Sequence, residues 1–201
     1  MSEEEERLRL FAAIQLPEEW LRALVGIQTR VERNAAGELR WVRPELMHVT
    51  LVFLGYQPAE LLPEIESAME TAATEGRQFR LTLGRLGAFG PPHGITVVWA
   101  GLTEMPQAME RLHQSLSAQL SARKVAFDRK PLVPHITLAR GKRPMDRGAS
   151  LRISAALKEL ELPKGLTTPV EDFVLMRSRL SPKGPSYEVV RDSRLGGVAD
   201  V

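Results

Sequence analysis

The chain has 201 residues, room for one large domain or two small lobes, and a chain of that size buries roughly 70% of its unfolded surface without covalent staples. It has no cysteine, which excludes disulfides, thiolate nucleophiles and thiolate zinc sites and fits a reducing cytoplasm. The net charge is +2, the opening "MSEEEERLRL" has the wrong charge order for a secretory signal, and no apolar run reaches the ~18–20 residues of a membrane span.

The first element is a strand over "RLRLFAAIQ", which alternates. "PEEWLRALVGIQTRVERN" follows as a helix, with Pro17 at the first helical position, acids in the first turn and a stripe of Leu21, Leu24, Val25 and Val31. "MHVTLVFLG" is a strand ended by Gly55. "AELLPEIESAMETAAT" is a helix with Leu61, Ile65, Met69 and Ala72 on one face and Pro63 in its first turn. "FRLTLGRLG" is a strand, "FGPPHG" a turn that exposes His93, and "ITVVWAGL" a buried strand. "TEMPQAMERLHQSLSAQLSA" is the clearest helix, with Met105, Met109, Leu112, Leu116 and Leu120 on one face and His113 on the surface. "LVPHITLARG" is a strand, "ASLRISAALKELEL" a helix, and "VEDFVLMRS" and "SYEVVRD" two strands joined by a turn. The order β α β α β β α β α β β reads as an imperfect duplication, with no linker and no low-complexity segment.

Two strands share an unusual feature. In "HVTL" (48–51) and "HITL" (135–138), alternation puts a histidine and a threonine on one face and apolar residues on the other. A lone strand histidine is usually structural. Here two of the four histidines precede Thr by two in matching strands, 87 residues apart (135 − 48). A pair of imidazoles, each with an unperturbed pKa near ~6.5, can supply one base and one acid at the same pH. The two hydroxyls can donate to the oxygens of a phosphate between them. Zinc is the competing use, but a catalytic site wants three protein ligands, and neither motif has an adjacent acid on its strand face. Metal-free chemistry is the better reading. The basic stretches "RVERNAAGELRWVR" and "ARGKRPMDR" suit a phosphate-bearing ligand.

The paired motifs resemble the 2H phosphoesterase superfamily. The ordered set "RLFAAIQLP", "WVRPELMHVTLVFLG", "FGPPHGITVVWAGL", "VPHITLARG" and "LMRSRLSPKGPSYEVV" narrows the resemblance to the RNA 2′,3′-cyclic phosphodiesterase family, also called 2′-5′ RNA ligases. It implies one bilobal α+β domain over residues 1–201. Two pseudo-symmetric lobes, each with an antiparallel sheet and outer helices, would face each other across a cleft. The implied reaction is hydrolysis of a terminal 2′,3′-cyclic phosphate to a 2′-phosphate, with 2′-5′ joining as the reverse sense. The substrate would be RNA with such an end or a nucleoside 2′,3′-cyclic phosphate, with no metal, cofactor, membrane or obligate protein partner. His135 would be the proton acceptor and His48 the proton donor, with Thr50, Thr137 and Arg140 on the phosphate. Arg140 has the wrong parity for the His–Thr face, so its strand must end, twist or bulge before it. Phe53 stands at the equivalent place in the first motif. Phe11 and Trp41 are candidates to stack a base, with core burial the default for both, and Ser178 and Tyr187 match the family's C-terminal text. A binding module with little turnover, or an enzyme acting on another cyclic phosphate or a 2′-5′ oligonucleotide, is the alternative.

Overall fold

The computed structural model of the chain describes residues 6–91, 94–142, 145–182 and 184–197; His93 lies outside them. The elements run β1 (Arg7–Gln15), α1 (Glu18–Ala35), β2 (Leu39–Trp41), β3 (His48–Pro58), α2 (Leu62–Glu75), β4 (Phe79–Phe89), β5 (Val97–Leu102), α3 (Gln107–Ala122), β6 (His135–Gly141), α4 (Arg147–Glu159), β7 (Thr167–Val170), β8 (Asp172–Ser181) and β9 (Gly184–Arg194).

The strands form one lobe in the order β3-β1-β8-β9 and another in the order β7-β4-β5-β6, with β2 paired to β6. Every pairing between these strands is antiparallel. The two sheets do not stand apart. β3 and β6 join them through one residue pair, Val49 with Ile136, so the whole is a single curled sheet. Helices α2 and α3 pack on each other, α2 also on β9 and α3 on β3. Helices α1 and α4 pack on each other, α1 also on β2 and β6 and α4 on β4. The helix after β1 therefore covers the second lobe, and the helix after β5 covers the first.

The helix faces follow burial. In α1 the buried stripe is Trp20, Leu24, Ile27, Val31 and Ala35; Val25, expected inside, is 37% exposed. Pro17 caps α1 from an extended backbone and is not its first helical residue. Helix α3 starts only after Pro106, in whose extended cap conformation no helix can continue backwards. Met105 falls outside it and is 39% exposed. Met109, Leu112, Leu116 and Leu120 are buried as the spacing requires. His113 is half-buried rather than on the surface, and its Nδ1 has no hydrogen-bond partner among the described residues. Strand β3 runs on through Gly55 to Pro58. Gly55 takes a left-handed φ of 72° beside a register shift against β1, a bulge and not an end.

Candidate active site

The His–Thr faces of β3 and β6 lie on either side of the Val49–Ile136 pair and open onto a cleft of about 550 Å³. His48, Thr50, His135, Thr137 and Arg140 all line it. Trp41, Phe11 and Tyr187 line it as well, whereas Ser178 does not. Ser178 is buried, and its Oγ accepts a hydrogen bond from Arg9 Nη1 at 2.9 Å.

Both strands bulge at the same place. Between β6 and β5 the register passes from Thr137–Trp99 to Ala139–Val98, leaving Leu138 unmatched. Between β3 and β1 it passes from Thr50–Ala13 to Val52–Ala12, leaving Leu51 unmatched. In each His-x-Thr-Leu motif the leucine is thus the extra residue. An extra residue inverts parity. Arg140 and Phe53, each five residues past its histidine, therefore turn onto the cleft face. The bulge in β6 is held by Gln28 of α1, whose Nε2 donates to the carbonyls of Leu138 (2.9 Å) and Val42 (2.8 Å). Gln28 had no sequence signal beyond a polar residue near an apolar stripe.

The two imidazoles are fixed alike. His48 Nδ1 lies 2.8 Å from the carbonyl of Leu46, and His135 Nδ1 2.8 Å from the carbonyl of Val133. A carbonyl only accepts, so each Nδ1 carries hydrogen and donates. That leaves each Nε2 free for proton transfer. The ring of His48 rests against Phe11 (centroids 4.8 Å apart) and meets Tyr187 edge-on at 5.4 Å. Phe89 meets the ring of His135 edge-on at 5.0 Å. Burial pulls His48 below its ordinary value. Its bond to Leu46 opposes that shift, and the charges of His135 and Arg140 reinforce it.

The aromatic residues divide. Phe11 is 2% exposed and packs with Ala13, Val174 and Met176 as cleft floor. Trp41 is partly exposed at the rim, and its Nε1 donates to Glu32 at 2.6 Å. Arg9, which sequence reasoning missed, also lines the cleft. Its only signal was alternation with Phe11 on β1.

The α+β fold of this chain is shared with proteins of known family and structure. The 2′-5′ RNA ligase superfamily model matches residues 23–181. The chain is 37% identical over 198 residues to the RNA 2′,3′-cyclic phosphodiesterase of Thermus thermophilus, covering 94% of this chain and 91% of that one. It is 30% identical to the protein of that name from Methanothermobacter thermautotrophicus, covering 94% and 100%. Among solved structures it superposes on TT0787 of Thermus thermophilus with a TM-score of 0.77 at 35% identity, covering 94% and 99%. It superposes on E. coli LigT complexed with 3′-AMP with a TM-score of 0.70 at 28% identity, with the same coverages. The chain belongs to the 2′-5′ RNA ligase superfamily.

Proposed function

We propose that this protein is a metal-independent RNA 2′,3′-cyclic phosphodiesterase that opens the cyclic phosphate to a 2′-phosphate. The observation that carries the reading is the pair of imidazoles in one cleft, each anchored through Nδ1 to a carbonyl two residues back. His135 Nε2 takes a proton from water as its oxygen bonds to phosphorus. The P–O3′ bond breaks on the opposite side, and His48 Nε2 delivers a proton to the departing O3′. Thr50 and Thr137 donate to the non-bridging oxygens, and Arg140 offsets the charge that builds on them. The same groups run the joining reaction when a 5′-hydroxyl replaces water. Among the described residues the cleft lining is rich in arginine and holds no acid, a donor set that favours an anion over a cation. Trp41 at the rim offers a face for a base.

The test is incubation with each nucleoside 2′,3′-cyclic phosphate in excess chelator, resolving 2′- from 3′-monophosphate. Exclusive 2′-product is expected. His48→Ala and His135→Ala are each expected to lower kcat by about 10²–10⁴. Full activity in either variant defeats the two-histidine mechanism. Tight binding of a nucleoside 2′-phosphate without turnover of any cyclic phosphate supports a binding module instead.

A further inference from the structure

Arg9, Arg40, Arg43 and Arg140 line the cleft, and among the described residues no carboxylate does. Arg43 is engaged by Glu45 at 3.3 Å and by the Pro185 carbonyl at 3.2 Å. Arg140 follows the bulge beside Thr137, and its charge bears on His48. Arg40 stands on β2 opposite Arg140 in the β2–β6 pairing, and Arg9, on the other lobe, has among the described residues neither an acid nor the motif to account for it.

Its position is set twice over. On β1, Phe11 and Ala13 turn toward the cleft while Leu10, Ala12 and Ile14 enter the main core, and alternation carries Arg9 to the cleft side. Its guanidinium lies 4.8 Å over the ring of Phe53, and Nη1 is tied to Ser178. Phe53 holds in the first lobe the place that Arg140 holds in the second. Stacking on Phe53 holds the Arg9 guanidinium at the cleft wall of the first lobe. The contacts that fix it are a ring and a neutral hydroxyl, and neither neutralises it. A guanidinium has five N–H donors, and Ser178 occupies one.

Arg9 does not share the anion that Arg140 serves. It lies four residues along β1, about 13 Å of strand, from Ala13, the residue paired with Thr50. A nucleoside cyclic phosphate has a single phosphate, already met by Arg140 and the two threonines. We propose that Arg9 is a specificity-determining residue that binds a second phosphate, the one on the 5′ side of the terminal nucleoside. The inference rests on the cyclic phosphodiesterase reading above and extends it. That phosphate is either the linkage to the preceding nucleotide or a free 5′-phosphate.

The experiment compares kcat/KM for adenosine 2′,3′-cyclic phosphate, for its 5′-phosphorylated form and for an adenosine dinucleotide ending in a 2′,3′-cyclic phosphate. The intact protein is expected to prefer a two-phosphate substrate by about tenfold or more, the factor one charge-assisted hydrogen bond carries. Arg9→Gln collapses that preference toward unity, and Arg9→Lys keeps part of it. Because the readout is a ratio within one preparation, damage to the fold lowers both values and leaves the ratio standing. A ratio that survives Arg9→Gln, or no preference in the intact protein, overturns the proposal. An advantage confined to the dinucleotide identifies the internucleotide linkage, and an equal advantage for the 5′-phosphate identifies a free phosphate. If no cyclic phosphate turns over, the function reading fails. Calorimetric Kd values for adenosine 2′-phosphate, adenosine 2′,5′-bisphosphate and the dinucleotide 2′-phosphate then decide Arg9 by the same ratios.

Discussion

His48 is assigned the acid, yet burial holds its pKa below the ordinary value, and His135 and Arg140 press the same way. A depressed pKa leaves an imidazole neutral at neutral pH, the wrong form for a proton donor. The substrate corrects this. A phosphate anion between the two histidines favours the imidazolium and raises the pKa. The alkaline limb of the rate profile reports the acid. In kcat/KM it belongs to the free protein, and in kcat to the complex. The expected result is an alkaline limb that lies at higher pH in kcat than in kcat/KM. Superimposed limbs would show that bound phosphate does not retune His48. Much at this scale was legible from residue identity and parity alone. Both His–Thr pairs line the cleft, and the parity conflict at Arg140 required an end, a twist or a bulge, of which β6 has the bulge, at Leu138. Arg9 was not legible, because an arginine alternating with leucines near a terminus reads as ordinary solvent polarity until Phe53 is seen beneath it.

At the scale of elements, the bulge in β6 depends on a helix. The Leu138 carbonyl accepts from Val42 N at 2.9 Å and from Gln28 Nε2 at 2.9 Å. Gln28→Leu keeps the size of the side chain and removes both of its donations. The expected cost is about 1–3 kcal/mol for carbonyls left short of partners, read as a lower midpoint in denaturant. The variant is also expected to raise KM, because Arg140 loses the bulge geometry that turns it inward. A stability loss with KM unchanged would show that β6 holds the bulge without α1. Strands β2 and β7, of three and four residues, had no signature in the sequence. Each is too short to show a period, β7 contains Pro169, and both exist because a neighbouring edge was available to pair with. The long elements were visible for the opposite reason, and their errors sit at ends and rims, at Met105, Val25 and Gly55.

At the scale of the whole molecule, the helices are exchanged between lobes. Helix α1 grows from β1 but packs on β2, β6 and α4, while α3 grows from β5 but packs on β3 and α2. Each sheet therefore keeps its core closed only while the other half is folded. Unfolding is expected as one cooperative transition, with far-ultraviolet and tryptophan signals coincident; two resolved transitions would show lobes that stand alone. The pH dependence has a fixed sign. Burial depresses both His48 and His113, so the unfolded chain binds protons that the folded chain refuses. This part of the stability is full above the unfolded value of ~6.5 and is lost as pH falls toward the lower folded values. The sequence showed the duplication as an order of elements. It did not show the exchange, because nothing local in α1 says which sheet its buried stripe will meet.

The lobes share one backbone pair, Val49 with Ile136, and each partner is the residue directly after a histidine. In mechanical terms this is a pivot, and displacement about a pivot grows with distance from it. A given rotation moves the rim, where Trp41 stands, more than it moves the two imidazoles. Any opening about this pair would widen the mouth while leaving the spacing of the two imidazoles nearly unchanged.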